Sequence, residues 1–274
     1  LFLLPLAYLI PMLPFKFQGD VRHIMIIQLA FGLSGTAMHL LISEKQLAKK
    51  NYDVVLGVNY YWPHVSGLTE TARMVAEKLS AEGFRVLVVC SRHQKDLAKR
   101  EIINGVNVER VAVQKMIRNG PISFLFPYVV ARRAKQAKML NLHLPMLESG
   151  FVTCLIPSTP LVVTYQCDYV GPPNAIGKTI ERVLDASNQY AIRNARQTIV
   201  SSIDYASQSR LQQSLATAVA IAPPFAVRQA GSPAFRVSDG FHYGFVGRIT
   251  AEKGITFLIE AFRRCASSED RLLI

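Results

Sequence analysis

Tyr243-Gly244-Phe245-Val246-Gly247-Arg248-Ile249-Thr250-Ala251-Glu252-Lys253-Gly254, with the apolar-periodic run Ile255 to Arg264 behind it, decides the fold. A short apolar strand ends in glycine, and a helix opens after Lys253-Gly254. Arg248 and Lys253 stand five positions apart, near the point where a helix presents free N–H groups and the positive end of its dipole. Such a point suits a diphosphate. A strand-to-helix connection of this kind also lies at the C-terminal edge of a parallel sheet. The competing reading is a surface turn whose Arg and Lys are simply solvated.

Upstream, strands alternate with helices from residue 52 onward. Asp53 to Asn59, Arg85 to Ser91, Val106 to Val113, Leu161 to Tyr165, Gln197 to Ser202 and Ala218 to Ile221 read as strands. Gly67 to Ala81, Phe124 to Leu140 and Lys178 to Asn194 have helical spacing. This alternation predicts an α/β fold with a parallel sheet covered on both faces. Residues 226–240, carrying Gly231, Ser232, Pro233, Ser238, Asp239 and Gly240, read as a linker. The expected organisation is therefore an apolar segment 1–50, a Rossmann-like domain 51–225, the linker, and the start of a second strand–helix unit at 241–274.

Four such segments, in order, resemble the family-4 glycosyltransferases of GT-B fold. Gly247-Arg248-Ile249-x-x-Glu252-Lys253-Gly254 resembles the start of that family's second domain. Val65-Ser66-Gly67-Leu68-Thr69-Glu70 resembles its glycine loop after the first strand, Val162 to Asp168 its fifth-strand end, and Ala220-Ile221-Ala222-Pro223-Pro224 its link between domains. The resemblance covers residues 52–274. It implies transfer of a sugar from a nucleotide-sugar donor to a glycan or lipid-linked acceptor, with retention, in cell-envelope or polysaccharide biosynthesis. The donor is a substrate, and no separate cofactor or metal is expected.

On that reading Arg248 and Lys253 stabilise the charge that builds on the leaving diphosphate. Gly247 and Gly254 let the chain approach it. Ser66 and Gly67 feed a helix N-terminus that can face phosphate or acceptor oxygens; the plainer reading of Gly67 is a loop glycine at positive φ. Gln166 stands where many family members have histidine. Its amide can bond sugar hydroxyls but cannot titrate. Asp168 holds either a sugar hydroxyl or a local turn. His143 either orients an acceptor or is a structural histidine, and His64 ranks below Gly67. The family's pair of glutamates, further along its second domain, is not found among these residues. Glu252 and Glu260 stand too early to be that pair. A nucleotide-sugar epimerase of the same fold, or a non-catalytic half of a transferase, remain the alternatives.

Composition sets the outer bounds. Half of the 274 residues are hydrophobic, enough for a sizeable core. The chain starts at Leu1 and ends in the strand-like Arg271-Leu272-Leu273-Ile274, so it is expected to be a piece of a longer protein, inactive alone. A net charge of +12 favours anionic partners. Nucleic acid is disfavoured, because the lone Trp62 offers no aromatic and basic platform. The first strand is not followed by GxGxxG, which argues against a dehydrogenase. Cys90, Cys154, Cys167 and Cys265 form no CxxC pair, which points to a reducing compartment without zinc or disulfides.

Two features suggest a membrane. His23 to Ser43 carries no formal charge over a length that can cross a bilayer; a buried helical pair, or translated upstream sequence, is the alternative. If it crosses, Lys45, Lys49 and Lys50 put the following domain on the cytoplasmic side. Phe124, Leu125, Phe126 and Tyr128 lead into Arg132, Arg133, Lys135 and Lys138, which suits docking on an anionic surface. The alternative is a core-facing aromatic cluster followed by a solvated helix.

Overall fold

Tyr52–Gly57, the first strand (β1), is apolar on both faces because both faces are covered. Val55 packs into one hydrophobic cluster and Val54, Leu56 and Val58 into another, the two-residue period of a strand inside a doubly covered sheet. The structure, a computed structural model, describes residues 51–117, 120–222, 239–247, 249 and 253–274. The apolar segment 1–50 with its expected membrane crossing, nearly all of the linker, Arg248 and Glu252 lie outside the described residues. Among the described residues no helix is long and apolar enough to cross a membrane.

The chain divides between Phe225 and Ala226 into two compact units. In the larger, β1 is followed by α1 (Gly67–Ala81), β2 (Val86–Arg92), β3 (Arg100–Ile103), β4 (Val106–Ala112) and the hairpin β5 (Lys115–Ile117) and β6 (Gly120–Ile122). Then come α2 (Phe126–Lys135), β7 (Ala137–Leu144), α3 (Ser149–Leu155), β8 (Leu161–Tyr165) and α4 (Ala175–Asn194). The unit closes with β9 (Gln197–Val200), α5 (Ile203–Gln208), α6 (Gln212–Leu215) and β10 (Val219–Ala220). The main sheet runs β10-β9-β8-β7-β1-β2-β4-β3. Every pairing in it is parallel except that of the edge strand β3 with β4.

The two faces are covered unequally. Ala72 and Ala76 of α1 lie against Val54, Leu56, Val86 and Val88 on one face. Residues of α2 to α6, among them Phe126, Val130, Ile192 and Leu215, fill the other with Leu140, Leu142 and Leu144. Burying a side chain such as Phe126 contributes about 1.5–3 kcal/mol. Helix α1 starts where its cap chemistry dictates. Ser66 Oγ accepts from the Thr69 amide at 3.2 Å, and Thr69 Oγ1 accepts from the Ser66 amide at 2.8 Å, a reciprocal capping box. Two glycines are fixed by packing. A Cβ on Gly57 would sit 2.7 Å from Leu142 Cδ2, and one on Gly177 would sit 2.0 Å from the Pro172 carbonyl oxygen.

The expected helix over Phe124 to Leu140 is shorter. It ends at Lys135, and Ala137 begins a strand paired with β1, with Val55 opposite Leu140. Leu140, Leu142 and Leu144 alternate into one cluster while Met139 packs on the other, a strand period hidden within an apolar run. Strand β4 is more buried than an edge strand, because Glu109 and Arg110 are both enclosed.

The basic run behind the aromatic cluster does not form one free face. Phe126 is buried, Arg133 Nε pairs with Glu109 at 2.7 Å, and Lys138 pairs with Asp53 at 2.9 Å. Burial works against the Glu109 carboxylate, yet Arg133 and Arg100 outweigh it and hold its pKa below the usual value. In the smaller unit, β11 (His242–Gly244), α7 (Ile255–Cys265) and β12 (Arg271–Leu273) form a βαβ crossover with parallel pairing of the two strands.

Candidate active site

Strand order reverses beside β1: the chain leaves β1 toward β2 and later leaves β7 toward β8. In an open parallel sheet the crevice outside the C-terminal ends of such neighbours is where ligands bind. Two predicted residues, His143 and Gln166, meet there. Gln166, the first residue after β8, donates its amide to the Leu144 carbonyl at the end of β7 at 3.2 Å. Its side-chain Nε2 stands 3.2 Å from His143 Nδ1 and donates to the Leu68 carbonyl in the first turn of α1 at 3.4 Å. An amide nitrogen only donates, so Nδ1 accepts and the ring proton sits on Nε2.

His143 is 1% exposed, and burial lowers its pKa to about 4. The imidazole is therefore neutral near pH 7. Its Nε2 has no hydrogen-bond partner among the described residues. Gln166 is only half-buried, so it reaches the edge while His143 lies within the fold and fixes the amide.

Ser66 and Gly67 lie at the N-terminus of α1. Ser66 is engaged in the cap. Gly67 is exposed, its φ is not positive, and a Cβ there would meet nothing within 4 Å. The fold therefore does not require glycine at this position. Asp168 is placed differently. It accepts from Tyr165 Oη, from Ser209 Oγ at 2.8 Å and from the Arg210 amide at 3.2 Å. These contacts join the end of β8 to the turn between α5 and α6, the turn-holding alternative for that residue.

The loop after β1 is anchored from beneath. Arg110, fully buried, donates to the Trp62 carbonyl at 2.7 Å and to the Ala98 carbonyl at 3.1 Å, and pairs with Glu101. The Arg73 guanidinium lies 5.8 Å from the centre of the Trp62 ring. Tyr60 stacks on His64 with ring centres 4.3 Å apart, and His93 meets both edge-on. Burial lowers the pKa of both histidines. Sequence reading passed over His93 and Arg110, since only the pairing of β1, β2 and β4 brings them to this loop. It also passed over Glu148, which is enclosed just before α3, with its pKa pushed up to about 7 by burial.

In the smaller unit, Gly247 lies in the loop after β11 and is exposed, as is Lys253. Gly254 precedes α7 at φ +64°, in the left-handed region that glycine adopts without penalty. Lys253 thus stands at the helix N-terminal end of a βαβ unit. Among the described residues no three His, Cys, Asp or Glu side chains gather closely enough to hold a metal ion.

Residues 66–225 match the family model described as "Glycosyl transferase 4-like domain". The chain belongs to this glycosyltransferase family. Among solved structures it is similar to sucrose-phosphate synthase from Thermosynechococcus elongatus, at 18% identity and a TM-score of 0.58 over 81% of this chain and 61% of that one. The likeness supports the GT-B fold, and the chain spans less than two thirds of that synthase. A UDP-glucose:anthocyanidin 3-O-glucosyltransferase in complex with UDP is also similar, at 12% identity and a TM-score of 0.47 over 82% of this chain and 72% of that one. None of the curated proteins is similar enough to the chain to count as a relative.

Proposed function

We propose that this family member transfers a hexose, with retention, from a nucleotide-sugar donor to a glycan or lipid-linked acceptor in cell-envelope polysaccharide synthesis. The observation that carries the reading is Lys253 at the N-terminal end of α7 in a strand–helix–strand unit. As the glycosidic bond of the donor breaks, negative charge grows on the diphosphate oxygens. A fixed cation beside free helix N–H groups stabilises that charge more in the transition state than in the ground state. Arg248 supplies a second cation, and Gly247 and Gly254 allow close approach. The nucleotide sugar is a substrate, and the reaction calls for no further cofactor.

On the acceptor side Gln166 contacts a hydroxyl of the incoming sugar or lipid-linked glycan, and His143 acts as a positioning residue for its amide. Gly67 leaves room for that acceptor at the start of α1. The enzyme works at the cytoplasmic face of the cell membrane, a placement supported by the net charge of +12. A panel of nucleotide sugars, incubated with the enzyme and acceptor glycans, tests the reading by NMR of the product. A product that keeps the donor's anomeric configuration supports it. Inversion, or release of an epimerised sugar nucleotide, contradicts it.

A further inference from the structure

Helix α4 ends at Asn194 with Arg193 in its last turn, and after Ala195 the chain enters β9 through Arg196 and Gln197. Helix α6 approaches the same place with Gln213 and Ser214, and Thr217 follows it. Between them lies an open groove of about 390 Å³. Among the described residues no Asp or Glu lines it. Val162 of β8 is opposite Gln197, so the groove sits at the starting ends of parallel strands whose far ends carry His143 and Gln166. The separation along β8 is roughly 13 Å, at about 3.3 Å per residue.

Arg193 and Arg196 are exposed, and their guanidinium groups make no hydrogen bond or ion pair among the described residues. Arg73, Arg100, Arg133 and Arg210, by contrast, each bond a carboxylate. The C-terminal end of α4 contributes roughly half a negative charge, which two full guanidinium charges outweigh. Ser214 Oγ accepts from Gln189 Nε2 at 3.1 Å, which leaves its own O–H to donate into the groove. Planar arginine forks, hydroxyls and an amide, with no carboxylate, are the donor set that recognises a tetrahedral phosphoryl group.

We propose that this groove binds a phosphoryl group at a site separate from the sugar-transfer edge. The group belongs either to a soluble phosphate ester or to the headgroup of an acidic phospholipid. The two sources share the same recognition chemistry.

The test uses the full chain carrying Lys253→Ala, so that phosphate bound near α7 does not contribute. Inorganic phosphate is titrated in one arm, and vesicles of phosphatidylcholine with or without phosphatidic acid in the other. Hydrogen exchange is followed over residues 193–217. Saturable phosphate binding that protects this stretch and weakens by at least about tenfold in Arg193→Gln/Arg196→Gln supports a soluble ligand. Binding only to the phosphatidic acid vesicles, with the same protection and the same loss, supports the lipid headgroup. Circular dichroism confirms that the double variant folds, and Arg193→Lys/Arg196→Lys should bind more weakly than the parent but better than the glutamine pair. Unchanged binding in the glutamine variant, or no protection of 193–217 with either probe, overturns the proposal.

Discussion

Gln166 Nε2 lies 3.2 Å from the Nδ1 atom of the buried His143, so a residue that cannot titrate is held by one that stays neutral. Both come from adjacent strand ends, and the same amide reaches the first turn of α1. If this pair positions an acceptor hydroxyl, Gln166→Ala should lower kcat/KM for the acceptor by about tenfold or more, the scale of one lost hydrogen bond in a site, while the donor KM changes little. Gln166→His should restore activity above pH 7 and add an acid limb near pH 6.5, the ordinary imidazole value. A pH–rate profile for acceptor turnover checks both outcomes.

The enclosed titratable groups make opposite contributions to stability. The folded pKa of His143, about 4, is depressed below its ordinary value. The unfolded chain therefore binds more protons between about pH 4 and 6.5, and stability falls as pH drops through that window. The folded pKa of Glu148, about 7, is raised. Its contribution is full below about pH 4.5 and is lost as pH rises toward 7. Over about pH 4.5–6.5 the two slopes oppose each other, so Glu148→Gln should leave stability rising with pH there and His143→Gln should leave it falling. Urea midpoints measured from pH 4 to 8 on the parent and the two variants separate the slopes.

Much of the scaffold is legible in the chain, because its signals are local. Ser66 followed by a helical apolar period gives the start of α1, and the β-branched run at Leu161–Tyr165 gives β8. His143 and Gln166 each stand out as strand-end polar residues. Their contact does not, since it depends on His143 lying opposite Thr164 across two strands. Arg133 reads as part of a basic helix face until Glu109, 24 residues away, is brought to it by β4. Asp168 likewise reveals its turn-holding role only when Ser209 and Arg210 arrive from a later turn.

Two glycines make opposite predictions. Gly177→Ala forces a methyl group against the Pro172 carbonyl and should destabilise the larger unit by about 1–3 kcal/mol, the usual cost of overpacking. Gly67→Ala meets open space, so melting should be unchanged or slightly raised. If Gly67 leaves room for the acceptor, as proposed, activity should nevertheless fall. Calorimetry and turnover, measured side by side on the two variants, separate an effect on stability from an effect on acceptor transfer.

Lys253→Ala removes the cation proposed to face the leaving diphosphate. The side chain is exposed, so the melting temperature should stay within experimental error of the parent. Steady-state transfer from the nucleotide-sugar donor should lose on the order of 100-fold in kcat, the scale of removing one charge-stabilising group, with a weaker response to inhibition by free nucleoside diphosphate. Turnover within a few-fold of the parent, at unchanged stability, would contradict the assignment of Lys253 to the leaving diphosphate.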